Sequence, residues 1–127
     1  MSLNRVEFVV PFLPPSMNTL YGIKTGRGRV QVFLKPEARN FKEKAKLFMP
    51  KWTPEPSTSL SLSFSIRARW MNQNGTFRKL DIQNLEKILI DAISEKFGFD
   101  DSRIWQKFCK KIESEKEEVA VILECAS

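Results

Sequence analysis

The 127-residue sequence contains no histidine. That absence removes Ser–His and Cys–His nucleophile pairs, imidazole metal ligands and a histidine-activated water. Tyrosine occurs once and cysteine twice. Cys109 and Cys125 stand sixteen positions apart, too few and too separated for a zinc site, and they read as reduced structural thiols of a cytoplasmic protein. No apolar run approaches the roughly 20 residues of a membrane span, and no secretory leader is expected. The expectation is a soluble protein with no membrane partner and no small-molecule cofactor. Any acid–base or metal chemistry has to come from Asp, Glu, Lys, Tyr or Cys.

What is present describes one folded domain spanning residues 1–127. Apolar residues make up 42% of the chain and ten of them are phenylalanine, enough for a single hydrophobic core. Twenty-one basic residues against fifteen acidic ones give a net charge of +6 and a pI near 9.5. A surplus of that size suits a polyanionic partner, nucleic acid above all.

The hydrophobic periodicity changes along the chain. Val6, Phe8, Val10 and Phe12 alternate, as in a half-buried strand, until Leu13-Pro14-Pro15-Ser16 interrupts regular structure. Two β-prone runs, 19–24 and 29–33, flank Thr25-Gly26-Arg27-Gly28 as a hairpin. Pro36 opens a helix whose apolar face is Ala38, Phe41, Ala45 and Phe48. Leu60, Leu62, Phe64, Ile66 and Ala68 then alternate with serines and arginines, the cleanest period of two in the chain. A second helix is expected over about 81–96, ended by Gly98. Two strands, 103–110 and 119–125, close the chain around a charged run, 113–118. This order predicts an α+β domain: a mixed β-sheet with two amphipathic helices packed on one face.

The stretch 78–104 carries the chemistry. On the second helix Leu85, Ile88, Leu89, Ala92 and Ile93 form the buried stripe, and Asn84, Lys87 and Asp91 line one flank of it. Asp81 stands at the helix start, where it reads either as an N-cap or as a metal ligand. Lys87 and Asp91 read either as a surface ion pair or as part of a site. Asp100 and Asp101 follow in a short turn before the next strand. Carboxylates grouped around one lysine, in a basic protein without histidine, suit a divalent cation held against phosphate, which points to a nuclease.

Several motifs in order resemble the RusA-type Holliday junction resolvases, and the likeness covers nearly the whole chain. Pro14-Pro15-Ser16-Met17-Asn18 matches a family segment after the first strand. The family pattern D-x-D-N-x-x-K-x-x-x-D-A, then a glycine and D-D, is matched by Asp81-Ile82-Gln83-Asn84-Leu85-Glu86-Lys87, Asp91-Ala92, Gly98 and Asp100-Asp101. The resemblance implies a homodimeric, Mg²⁺-dependent endonuclease, with Mn²⁺ as an alternative cation, that resolves four-way DNA junctions by paired nicks. It makes Asp81, Lys87 and Asp101 catalytic, with Asp81 and Asp101 as metal ligands. Asp100 and Asp91 would be supporting acids, and Asn18 and Asn84 would help shape the site. The sequence departs from the pattern at Gln83, where the family has a second signature acid. Gln83 still offers an oxygen ligand but removes one negative charge from a dication site. Three consequences stand open: compensation by Asp100 or Asp91, weaker metal binding, or junction binding without cleavage.

Candidates for DNA contact are Lys24, Arg27, Arg29 and Lys35 around the hairpin, and Arg67, Arg69, Arg78 and Lys79 leading into Asp81. Phe77 reads either as an aromatic that stacks on bases or as a core residue. Trp52, Trp70 and Trp105 are expected in the core or at a subunit interface.

Overall fold

The computed structural model describes residues 4–15, 21–26 and 28–126; for 21–26, 29–34 and Asn84 it describes the backbone alone. The elements are β1 (Arg5–Val10), β2 (Tyr21–Gly26), β3 (Arg29–Leu34), α1 (Pro36–Lys46), β4 (Leu60–Ala68), α2 (Gln83–Phe97), a 3-10 turn (Asp101–Arg103), β5 (Ile104–Glu113) and β6 (Glu118–Cys125). The expected order of elements is therefore present, and so is the mixed sheet with two helices. Strands β1, β6, β4 and β5 lie side by side in that order, while β2 and β3 pair as a separate antiparallel ribbon. β4 is antiparallel to β6 and parallel to β5. The two closing strands thus share no ladder, because β4 lies between them.

Alternation decides which face is buried. Val6, Phe8 and Val10 of β1, Leu60 to Ala68 at every second position of β4, and Val119, Val121, Leu123 and Cys125 of β6 form one core with both helices. α1 contributes Ala38, Phe41 and Ala45. α2 contributes Leu85, Ile88, Leu89, Ala92 and Ile93, and the rings of Phe8 and Phe97 meet at 5.9 Å between centroids. Both helices therefore cover the same side of the sheet, and α1 lies against α2. Phe48 falls beyond the end of α1 and stays partly exposed, resting edge-on against Phe12.

The apolar rows across the sheet stop at β5. Following the register, Val6, Leu123 and Leu62 lead to Lys107; Phe8, Val121 and Phe64 lead to Cys109; Val10, Val119 and Ile66 lead to Lys111. β5 thus turns a polar row toward α2, where the other three strands present hydrocarbon. The ladder slips between Leu60 and Ser61, which pair with Ile104 and Gln106, so Trp105 is the extra residue of a β-bulge. A bulge of this kind redirects a side chain without ending the strand.

Candidate active site

α2 begins at Gln83, not at Asp81, because the first helical bonds, from the N–H groups of Leu85 and Glu86, converge on the carbonyl of Ile82. Ile82 is the N-cap and no side chain caps the helix. The N-cap reading of Asp81 therefore does not hold: its carboxylate is exposed in the segment leading into the helix. Gly98 ends the helix at φ 70°, and the N–H groups of Gly98 and Phe99 both bond to Ser94 O. That left-handed residue turns the chain back toward α2 and delivers Asp100 and Asp101 beside it.

Gln83, Lys87, Asp91 and Glu95 follow at steps of four, so they form one polar row along the helix. Asp91 lies eight residues past Gln83, roughly 12 Å along the axis at 1.5 Å per residue. Burial raises the Asp91 carboxyl above its ordinary value; Lys42 and Lys87 oppose that, while Glu95 and Asp101 add to it. Asp91 and Asp101 are thus electrostatic neighbours, with Lys87 beside them and Lys42 approaching from α1. Glu95 is bonded to Lys42 and, at 2.9 Å, to Lys46, which ties the end of the row to α1.

Asp100 has a different task. Its Oδ1 accepts the backbone N–H of Ser102 at 2.9 Å, closing the 3-10 turn. That bond holds its carboxyl below the ordinary value. Asp101 remains exposed and opens onto a surface cavity of about 190 Å³ lined also by Ile90, Ile104, Trp105 and Lys107.

The expected basic residues are dispersed. Arg67 lies on the sheet face away from the helices, bonded to Glu118 at 3.1 Å. Arg69 pairs with Glu115 at 3.3 Å and stays mostly exposed. Arg78 lies over the Trp70 ring at 5.7 Å, Lys79 is exposed, and Lys35 is the N-cap residue of α1. Phe77 bridges to Met71 and is 78% exposed, so it is no core residue. Lys24 and Arg29 sit on the ribbon, whose side chains are not described; Arg27 and Asn18 lie outside the described residues.

Tryptophans divide. Trp70 is buried with its indole N–H bonded to Ile66 O at 3.1 Å, and Trp52 packs on Phe97. Trp105 is 78% exposed and outside the core.

Oxygen donors of this kind have the chemistry that Mg²⁺ prefers. Among the described residues no three acidic or thiol side chains converge as ligands of one ion. Two carboxylates completed by waters and substrate phosphate are an ordinary arrangement for Mg²⁺; the exposed carboxylates of Asp81 and Asp101 offer donor oxygens of that class, and Asp91 is an electrostatic neighbour of Asp101.

Residues 11–124 match the family described as Endodeoxyribonuclease RusA. The chain belongs to the RusA endodeoxyribonuclease family. No individually curated protein matches the sequence. The matched span includes α2, the 3-10 turn and β5, so the whole polar row lies within the part that carries the family likeness. Membership supports a Holliday junction endonuclease that binds branched DNA. No helix among the described residues is long and apolar enough to cross a membrane.

Within this RusA-family fold, sequence reasoning missed the residues on β5. Lys107 Nζ donates to Glu86 Oε1 at 2.7 Å, and Lys111 Nζ donates to Leu80 O at 2.6 Å while lying 4.5 Å over the Trp70 ring. The signal was present: positions 107, 109 and 111 share one strand face and are Lys, Cys and Lys, a polar face unlike that of any core strand.

Proposed function

We propose that this protein is a Mg²⁺-dependent, homodimeric Holliday junction resolvase that cuts four-way DNA junctions by paired nicks. The observation that carries the reading is the ordered polar row of α2 leading to Asp101, inside a match to the RusA family over residues 11–124.

Phosphodiester hydrolysis requires a water oxygen to bond to phosphorus while a P–O bond to the sugar breaks, with negative charge building on the phosphate oxygens. Asp81 and Asp101 are the proposed metal-holding acids, and Asp91 supports Asp101. Magnesium bound by these acids would acidify a water and offset charge on the phosphate. The Lys87 ammonium, one helical turn from Asp91, binds the scissile phosphate and offsets the charge that develops on it. Two sites related by a two-fold axis would match the two opposed strands of a junction.

The deciding experiment is cleavage of a mobile synthetic four-way junction with Mg²⁺, Mn²⁺ or EDTA, beside a linear duplex of the same sequence. Metal-dependent paired nicks in the junction alone are expected, and Asp81→Asn or Asp101→Asn should abolish them while junction binding persists. Cleavage by Asp81→Asn at the wild-type rate would remove Asp81 from the site.

Gln83 favours a second reading, a junction-binding protein whose cleavage is weakened or lost. It occupies the first position of α2 and is exposed, so a neutral amide stands where the family pattern has an acid.

A further inference from the structure

Trp105 is the largest apolar side chain left in water, and its surroundings explain why. Full burial of a large apolar side chain contributes about 1.5–3 kcal/mol, so an exposed indole forgoes a substantial gain. Its position as the extra residue of the β5 bulge turns it out of the ladder, beside the cavity that holds Asp101 and Lys107. Bulges that redirect side chains are common next to active sites. Lys107 is fixed there by its 2.7 Å bond to the buried Glu86. An ammonium has three donors, so that single bond positions the group without exhausting it, and its side chain remains 42% exposed. Aromatic face, cation and carboxylate thus line one small cavity whose remaining walls are Ile90 and Ile104.

We propose that this cavity is a nucleotide subsite next to the cleavage centre: the Trp105 indole stacks on a nucleobase whose face is left uncovered at the branch point, and Lys107 contacts the adjoining phosphate. The inference rests on the junction-endonuclease reading and specifies how that site selects its substrate. In an intact duplex both faces of every base are covered by neighbours, so an indole finds no partner. At a branch point bases come unstacked, and any of the four offers a π-face. The apolar walls suit the flat base, and the positive charge suits the phosphate. Trp105 and Lys107 would therefore favour branched over linear DNA while Asp101 holds its place beside the scissile bond.

The test measures equilibrium binding in EDTA of a synthetic four-way junction and of a linear duplex, for wild type, Trp105→Ala, Trp105→Phe and Lys107→Met. Trp105→Ala should weaken junction binding by roughly 5- to 150-fold, the range of one base–aromatic stack, and leave duplex binding unchanged. Trp105→Phe should recover most of the loss. Lys107→Met should lower the slope of log affinity against log salt by about one. The melting temperature and light-scattering mass of Trp105→Ala should equal those of wild type. Equal junction binding by wild type and Trp105→Ala, equal losses for junction and duplex, or a reduced mass would overturn the subsite; the last would make Trp105 a subunit contact. Wild-type protein that does not distinguish junction from duplex would instead remove the junction reading on which the subsite rests.

Discussion

Lys107 Nζ, at the edge of the sheet, donates to Glu86 Oε1 on α2 at 2.7 Å, and Glu86 is the one buried charged residue among those described, at 8% exposure. The pair closes the flank of the core where β5 presents polar side chains, and it is asymmetric: Lys107 reaches water and Glu86 does not. Lys107→Met should therefore destabilise the fold by about 1–3 kcal/mol, because a buried carboxylate loses its partner. Glu86→Gln should cost less than about 1 kcal/mol, since the amide oxygen still accepts the bond and the exposed ammonium can be hydrated. Urea midpoints of the two variants check this, and the reverse order would mean that the pair is not the device that keeps Glu86 buried.

The thiol of Cys109, in the same row, is pushed up to about 12, chiefly by burial and further by the Glu86 carboxylate. Its thiolate fraction at pH 8 should be about a thousandfold below that of an ordinary thiol, and alkylation scales with thiolate. Iodoacetamide should label Cys109 in native protein very slowly and in urea-unfolded protein at the normal rate. Glu86→Gln should speed the native reaction only modestly, because burial is the larger cause.

Acid should loosen the junction of α1 and α2. Burial pushes the Glu95 carboxyl up, and hydrogen bonds from Lys42 and Lys46 outweigh it, leaving the group below its ordinary value. A lowered carboxylate contributes stability above its unfolded-state value, and that contribution disappears as pH falls through the folded-state value. Glu95 is 44% exposed, so solvent screening limits the effect to roughly 0.2–1 kcal/mol. Thermal melting of wild type and Glu95→Gln should differ at pH 7 and converge as pH drops below about 4. A gap that stays constant with pH would remove the charge as its cause.

Position on the sheet separates two phenylalanines. Phe64 on β4 is 1% exposed, whereas Phe108 on β5 is 64% exposed on the outer face. Phe64→Ala should cost about 3–5 kcal/mol by leaving a cavity. Phe108→Ala should change the stability of the isolated chain by about 0.5 kcal/mol or less. Denaturation of Phe108→Ala at two protein concentrations provides the check, because a larger, concentration-dependent loss would show that this face is covered by a second copy.

Gln83→Asp restores a negative charge at the first turn of α2, where the helix dipole also favours an anion by about 0.3–1 kcal/mol. Junction cleavage should require less Mg²⁺ in this variant than in wild type. If the titrations coincide, position 83 has no share in holding the cation.

Much of the fold follows from local pattern. Alternating Leu60 to Ala68 predicts a strand because side chains alternate across a pleated backbone, and the apolar stripe of α2 predicts a helix by the same kind of periodicity. Gly98 marks the helix end because its left-handed conformation excludes most other residues. The ordered acids and Lys87 were also legible, since they are a matter of residue type and spacing. Other features required pairing in space. Register against β4 puts Lys107, Cys109 and Lys111 in line with core residues, and a one-residue slip in that ladder leaves Trp105 outside. The start of α2 at Gln83 frees Asp81 from capping, and the turn after Gly98 brings Asp101, but not Asp100, to an open cavity that Ile90 of α2 also lines. The sequence by itself determined the elements and the inventory of charges, because helix and strand periodicities act between near neighbours. Only the tertiary structure decided which charges meet, because burial and Coulomb attraction depend on distances through space.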